Sequence, residues 1–241
     1  MAAKVLFLVN EHLATEGLLG EAFADQGFDV DVFEVVPAER IDDPAVDVTF
    51  PDPVGYDVIV PLGARWPVYD EALRRSWVNT ETQLVHDAAD AGVALLGVCF
   101  GGQLLAQAFG GSVARSSDPE IGWYDVTSDR PDLIPGGPWF QWHFDRWTVP
   151  PGATEIARTP SASQAFILRR ALALQFHPEV DAELLERWLA DDRDDEVVSF
   201  GRSHDELRSR TTELRPDISA RVRDLVGGFV THVVRQPCPS S

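Results

Sequence analysis

The chain has 241 residues, enough for one large α/β domain with a substantial core. Its 39 acidic and 20 basic residues give a formal net charge of −19 with no offsetting Lys/Arg cluster, so neither nucleic acid nor an anionic membrane is expected as a partner. Two cysteines are too few for a disulfide framework and are typical of a reducing compartment, so we expect a cytoplasmic protein. The N-terminal apolar run is too short for a signal peptide, and no apolar stretch is long enough to span a bilayer.

The first half of the chain alternates between strand and helix patterns. Apolar runs or strict alternation predict strands, and apolar residues at helical spacing predict helices. The predicted strands are residues 5–9, 28–36, 56–62 and 93–98. The predicted helices are residues 17–24 and 68–91, with a Pro/Asp-rich loop at 41–54. This βαβ repetition predicts a mostly parallel sheet covered by helices on both faces.

The pattern changes after Gly111, where short strands joined by Pro/Gly turns are predicted. These strands are residues 123–127, 146–149, 155–158, 166–168 and 171–176. Helices return at residues 182–190 and 218–234, and the acidic run 191–196 is predicted to be a solvated helix end. No repeat or linker is present, which favours a single domain over residues 1–235, followed by a disordered tail at 236–241 that contains Cys238.

Cys99 lies where a strand pattern changes to a helical one. The preceding run, 93–98, is apolar, and Gly97, Gly101 and Gly102 allow a tight turn with close backbone approach. This is the arrangement of a nucleophile elbow with Cys in place of Ser, and a helix N-terminus behind the sulfur favours the thiolate. The alternative is a buried structural cysteine, and the elbow alone favours neither interpretation.

The best partner for this cysteine lies at the end of a later apolar strand, where His177 is followed two residues on by Glu179. Residues i and i+2 of an extended chain project to the same side, and Pro178 biases His177 towards that geometry. A thiolate needs a proton acceptor that later protonates the leaving amine, and the imidazole needs a carboxylate to orient it. The three side chains supply these roles, although a solvated His-Pro-Glu strand end is the alternative for the tripeptide alone.

Four stretches together resemble the class I glutamine amidotransferases. Gly-Val-Cys-Phe-Gly-Gly-Gln around Cys99 and Gln-Phe-His-Pro-Glu around His177 match that family's Gly-x-Cys-x-Gly-x-Gln elbow and its paired His and Glu. Residues 61–71 resemble the family's oxyanion segment, and residues 120–126 resemble the branch related to guanosine monophosphate synthetase glutaminase domains. The resemblance covers about residues 4–190 and implies a flavodoxin-like α/β fold.

By position, the resemblance implies Cys99 as nucleophile, His177 as general base and acid, and Glu179 as the carboxylate that orients the imidazole. It implies hydrolysis of a γ-carboxamide through a γ-glutamyl thioester. It also places the oxyanion-binding N–H groups on Phe100 and near Gly63. An oxyanion donor contributes ~3 kcal/mol to transition-state stabilisation, so the placement of these N–H groups strongly affects the rate of hydrolysis.

The resemblance also concerns the pocket around these groups. The resemblance places Gln103 in the glutamine pocket. Where many relatives have Gly-Gly-Pro, this chain has Gly63-Ala64-Arg65, and Ala64 would be strained if the turn required a positive φ. Arg65 is predicted to be a solvated loop side chain, with a contact to the substrate α-carboxylate as the alternative.

The aromatic stretch 142–147 carries His143 and Asp145 at same-face spacing. His143 is either part of the active-site mouth or a hydrogen-bonded histidine in an aromatic loop. A metal site built from His143, His177 and Glu179 has no supporting ligand spacing, and the chain has no phosphate-binding or dinucleotide motif. No metal or cofactor is therefore predicted.

Three functions remain open at this stage. The protein is an independent hydrolase of glutamine or a γ-glutamyl compound, a glutaminase subunit that delivers ammonia to a separate synthetase, or a non-catalytic binding or regulatory protein. No motif of an ATP-dependent amination domain is present, and the aromatic stretch 139–147 could wall a leaving-group pocket, so we favour the independent hydrolase. The expected partner is a small-molecule substrate, with a synthetase subunit as the alternative.

Overall fold

The computed structural model describes residues 2–192 and 195–235. The strands are β1 Ala3–Val9, β2 Phe28–Glu34, β3 Val58–Pro61, β4 Ala94–Val98, β5 Val113–Ser128, β6 Gly137–Trp147, β7 Thr154–Arg158, β8 Ser163–Leu168 and β9 Ala171–Leu174. The helices are α1 Gly17–Asp25, α2 Glu71–Leu73, α3 Asn79–Asp90, α4 Phe100–Ala108, α5 Ala182–Ala190, α6 Glu196–Ser199 and α7 His204–Phe229. Cys238 and the predicted tail lie outside the described residues.

A nine-stranded sheet runs in the order β2-β1-β3-β4-β9-β8-β7-β5-β6. Its first five strands are parallel, and β8, β7, β5 and β6 continue the sheet in antiparallel order. The predicted α/β fold with helices on both faces of a largely parallel sheet is confirmed. In such sheets functional groups collect at the carboxyl ends of the parallel strands, where β1, β3, β4 and β9 end here.

Apart from the edge strand β2, which is largely exposed, the parallel strands are buried on both faces. Along β1, Val5, Phe7 and Val9 pack into one apolar cluster, whereas Leu6 and Leu8 pack into a second cluster on the other face. Helices α1 and α7 cover the first face, and α3 and α4 cover the second. This two-sided burial explains why these strands read as continuous apolar runs in the sequence.

The predicted short strands at 123–127 and 146–149 were wrong in extent. The structure has a long antiparallel hairpin of β5 and β6 there, and residues 148–149 fall outside β6. Strand β5 is rich in polar and charged residues with no regular alternation, and its pairing shifts register between Arg115 and Glu120, so only parts of the hairpin look strand-like in the sequence.

The last helix begins earlier than the predicted range of 218–234. Helix α7 begins at His204, continues through Pro216 and ends in a π turn at Val230–Val234. A proline inside a helical pattern predicts a break, but burial of Leu207, Leu214 and Ile218 holds this helix together on both sides of it. Within the described part of the chain, no helix is long and apolar enough to cross a membrane.

Candidate active site

Cys99 occupies a strained strand-to-helix corner. Strand β4 ends at Val98, α4 begins at Phe100, and Cys99 between them has φ 50° and ψ −105°. A non-glycine residue in such a region costs about 1–3 kcal/mol, which the surroundings must offset. Here the Cys99 N–H donates to the Leu174 carbonyl of β9 at 2.8 Å. The predicted elbow geometry is therefore present.

The glycines of the elbow are needed for close packing. A Cβ on Gly101 would lie 1.9 Å from the Pro61 carbonyl oxygen, and one on Gly97 would lie 2.5 Å from the Gly101 oxygen. Neither approach is sterically allowed, so glycine lets α4 sit directly against β3 and β4. This packing brings the sulfur to the carboxyl edge of the sheet.

His177 and Glu179 form a buried pair beside the elbow. The two residues follow β9, the His177 N–H donates to the Phe140 carbonyl at 2.8 Å, and Nδ1 lies 2.7 Å from Glu179 Oε1. Nε2 is buried and has no hydrogen-bond partner among the residues that the structure describes. The Trp188 ring packs against the imidazole with ring centroids 4.9 Å apart. The ring is therefore oriented through one nitrogen, with the other left for a reacting proton.

The charges around the imidazole favour its protonated form. Burial alone lowers the pKa of His177, but the negative charges of Glu179 and Cys99 outweigh that cost and raise the pKa to about 10. An imidazolium beside a thiolate is the state that a cysteine nucleophile needs.

The backbone around Gly63 comes close to both side chains. A Cβ on Gly63 would lie 3.1 Å from His177 Cε1 and 3.8 Å from Cys99 Cβ. Phe100 is the first residue of α4, so its N–H has no acceptor within the helix. Among the described non-glycine residues, positive φ occurs only at Cys99, Arg169 and Asp195, so the turn does not strain Ala64.

A cavity of about 450 Å³ opens in front of these groups. This volume is within the range of small-molecule sites. Gln103 lines the cavity, with Nε2 3.4 Å from both the Asp145 carbonyl and Gln175 Oε1. The aromatic residues that line it are Trp66, Tyr69, Trp142, Phe144 and Trp188.

Arg65 was predicted to be a solvated loop side chain, but the structure places it in ion pairs with two carboxylates. Its Nε donates to Glu11 Oε2 at 2.5 Å and its NH2 group lies 2.7 Å from Asp191 Oδ2, at the edge of the cavity. Burial raises the pKa of Glu11, and the charge of Arg65 opposes that rise. The arginine thus links the segment after β3 to the segments after β1 and α5.

His143 lies in strand β6 rather than in a loop. Its Nε2 is 3.1 Å from Glu120 Oε2 and its Nδ1 is 3.0 Å from the Asp145 carbonyl. Gln164 Nε2 donates to the same Glu120 oxygen at 2.6 Å. His143 is therefore hydrogen-bonded and buried, and it also lines the cavity, so both sequence interpretations describe part of its environment.

Three described residues of the acidic run 191–196 (Asp191, Asp192 and Glu196) are partly buried, whereas the run was predicted to be solvated. The side chain of Asp192 is 1% exposed, pairs with His204 Nε2 at 3.1 Å and accepts the Glu196 N–H at 2.8 Å. Glu196 Oε2 accepts the Trp142 indole N–H at 2.6 Å. Asp191, Asp192 and Glu196 line the cavity, Asp195 is exposed, and residues 193–194 lie outside the described chain.

The sequence analysis missed several buried polar residues near the site, among them Asn10, Glu81, Glu120 and Gln175. Asn10 follows β1, Glu81 lies in α3, Glu120 lies within β5 and Gln175 follows β9, and each finds partners far along the chain. Within residues 2–192 and 195–235, no three His, Cys, Asp or Glu side chains come together as a metal site.

Cys99 lies at a strand-to-helix turn of an α/β sheet, which is the position of the nucleophile elbow in α/β enzymes. Residues 67–192, just over half of the chain, match the model of the glutamine amidotransferase class-I family. The chain belongs to that family.

Its curated relatives include glutamine-hydrolysing GMP synthases. The one from Aeropyrum pernix is 38% identical over 124 residues, which cover 44% of this chain and 24% of that protein. The one from Parafrankia sp. is 43% identical over 99 residues, 37% of this chain and 18% of that protein. The match thus spans a quarter or less of these relatives' length.

Similar solved structures cover nearly the whole chain. A glutamine amidotransferase from Thermotoga maritima superposes with a TM-score of 0.81 over 98% of this chain and 100% of that one, at 24% sequence identity. At this identity the likeness establishes the fold.

Proposed function

We propose that the protein hydrolyses a γ-glutamyl amide through a thioester on Cys99. The observation that carries the proposal is the buried His177–Glu179 pair at 2.7 Å beside a cysteine held in a strained elbow, at one wall of a cavity. Family membership supports the same chemistry. A non-catalytic binding role would not require this arrangement.

In the proposed first half-reaction the Cys99 thiolate attacks the γ-carbonyl carbon and forms a C–S bond. The negative charge moves to the carbonyl oxygen, where the N–H groups of Phe100 and Gly63 hold it. The His177 imidazolium then gives its proton to the leaving nitrogen as the C–N bond breaks, which releases ammonia or an amine. Glu179 keeps the imidazole oriented and balances its charge.

In the second half-reaction water attacks the thioester carbonyl, and neutral His177 accepts the proton of that water. The C–S bond breaks, glutamate leaves, and the imidazolium–thiolate pair is restored. Gln103 binds the glutamyl part of the substrate. Since the thiolate and the imidazolium are both regenerated, the cycle needs no metal or cofactor.

A second candidate function is that of a glutaminase subunit that delivers ammonia to a separate synthetase. The similarity to GMP synthases favours it, because the matched region is a small part of those longer proteins. The cavity volume of about 450 Å³ and its aromatic walls favour the independent hydrolase, since they leave room for a leaving group larger than ammonia.

Steady-state hydrolysis by the purified protein alone separates these candidates. Glutamine, γ-glutamyl peptides and γ-glutamyl amines are compared, with Cys99→Ala as the control for contaminating activity. We expect turnover of about 1 s⁻¹ or more on a γ-glutamyl compound that carries a substantial leaving group. Negligible rates on every compound, followed by glutamine hydrolysis once a cell extract is added, would point to the subunit role instead.

A further inference from the structure

Asn10 and Glu81 form a fully buried polar pair that the proposed mechanism does not use. Asn10 directly follows β1, Glu81 lies in the first turn of α3, and both residues are 0% exposed. Asn10 Nδ2 donates to Glu81 Oε1 at 3.3 Å and to the Leu62 carbonyl at 3.1 Å. Burying polar groups at this depth is costly unless they make useful hydrogen bonds.

The Leu62 carbonyl is the centre of this arrangement. It also accepts the Gly101 N–H of helix α4 at 3.2 Å, while the Leu62 N–H donates to Leu8 at 3.0 Å. Leu62 is therefore fixed to β1, to the elbow helix and to the buried amide of Asn10.

The orientation of this carbonyl sets the direction of the next N–H. A peptide unit is planar and trans, so its C=O and N–H point in opposite directions. The peptide that carries the Leu62 carbonyl also carries the Gly63 N–H. Because Gly63 lies against His177 and Cys99, groups that hold the Leu62 carbonyl also hold this N–H relative to the reacting atoms.

We propose that Asn10 and Glu81 are positioning residues that orient the oxyanion-binding N–H of Gly63. The inference rests on the proposed function, since it assigns the pair to the transition state of that reaction. Glu81 fixes the Asn10 amide by accepting one of its N–H groups, and Asn10 uses the other to hold the peptide.

The protonation state of Glu81 agrees with this role. Burial raises the pKa of Glu81 to about 8, and the hydrogen bond from Asn10 opposes that rise. At neutral pH the carboxyl group is therefore mostly protonated. Because the protonated carboxyl group of Glu81 is neutral, it accepts the Asn10 N–H without placing a negative charge near the oxyanion.

The test compares Asn10→Ala, Glu81→Ala and Glu81→Gln with the parent enzyme on its best γ-glutamyl substrate. We expect the alanine variants to lower kcat about 10- to 100-fold with KM changed less than about threefold, because an oxyanion donor acts in the transition state. Glu81→Gln keeps an uncharged acceptor oxygen and should recover kcat to within about threefold.

A second readout isolates the oxyanion donor from the nucleophile. Alkylation of Cys99 by iodoacetamide is a direct displacement that develops no carbonyl oxyanion, so its rate should stay at the parent value in all three variants. Thr211→Val is the matched control, because it removes a buried hydrogen bond to Trp123 at 2.8 Å on another element. It should lower the free energy of unfolding and leave kcat unchanged.

Each contrary result has a distinct meaning. Unchanged kcat in Asn10→Ala and Glu81→Ala would overturn the inference, and so would an equal loss of turnover and of alkylation, because that indicates general disruption of the site. Failure of the parent enzyme to hydrolyse any γ-glutamyl compound, both alone and with a cell extract added, would refute the proposed function itself.

Discussion

At the scale of single residues, the site combines a strained backbone at Cys99 with a charged pair of His177 and Glu179. Cys99 is held with φ 50° by packing on β9, and His177 is oriented by Glu179 through Nδ1. In the proposed reaction the three side chains act as a unit, so the effects of replacing them should not be additive.

Replacing the three side chains one at a time should rank their roles. We expect Cys99→Ala and His177→Ala to abolish turnover, and Glu179→Ala to lower kcat by ~10²- to 10⁴-fold while leaving a measurable rate, because the orienting carboxylate contributes less than the nucleophile or the base. Steady-state kinetics on the best substrate measures this. A silent Glu179→Ala would mean that another group orients the imidazole.

The pH dependence of kcat/KM should depend on the negative charge of Glu179. Because the pKa of His177 is raised to about 10, the imidazolium that protonates the leaving amine persists through neutral pH and is lost only as the pH rises towards that value. Removing the charge in Glu179→Gln should move the alkaline loss of kcat/KM towards neutral pH. Identical alkaline limbs for the two proteins would contradict the assignment.

At the scale of elements, contact between α4 and β3 determines where the sulfur lies. A side chain at Gly101 would collide with the Pro61 carbonyl, whereas a Cβ at Gly55 meets nothing within 4 Å. Gly101→Ala should lower the free energy of unfolding by about 1–3 kcal/mol, and Gly55→Ala should change it by less than about 0.5 kcal/mol. Chemical denaturation measures both variants, and equal stabilities would show that the packing is looser than described.

The same scale shows what the sequence can predict. The inner parallel strands and α1 were found because burial on both faces leaves plain apolar runs and an amphipathic helix leaves a regular period. The largely exposed edge strand β2 was found from its alternation of apolar and polar residues. The extent of β5 and the start of α7 were missed because exposed charges and Pro216 interrupt those patterns, while tertiary packing holds the elements together.

The residues of the site also differ in how far the sequence could predict them. Cys99, His177 and Glu179 stand in short local motifs, so their proximity could be predicted. The Asn10–Glu81 pair could not, because its members are 71 positions apart and each resembles an ordinary polar residue. Arg65 was misjudged for the same reason, since its partners Glu11 and Asp191 come from distant segments.

At the scale of the whole molecule, acidic character extends into the cavity. The chain has a formal net charge of −19. The charged residues that line the cavity are the acidic residues Glu11, Asp145, Glu179, Asp191, Asp192 and Glu196 and the cations Arg65, Arg115 and protonated His177. This excess of carboxylates gives the cavity a negative field, which concentrates cations and repels anions.

Substrate choice should follow this field. Among γ-glutamyl amides of similar size, we expect kcat/KM to be highest for a leaving group with a positive charge and lowest for one with a negative charge, with roughly a tenfold difference at low salt that shrinks as salt is added. Steady-state kinetics at two ionic strengths measures it. The reverse order would mean that Arg65 and Arg115 dominate the leaving-group side.

The central claim is that Cys99 is the nucleophile of a γ-glutamyl hydrolase, and covalent labelling with a chloroketone analogue of glutamine tests it most directly. Peptide mapping should place the label on Cys99, with Cys238 reacting much more slowly, glutamine or the best γ-glutamyl substrate giving protection, and turnover falling in proportion to labelling. Labelling mainly at Cys238, or substrate turnover that survives complete labelling of Cys99, would contradict the account.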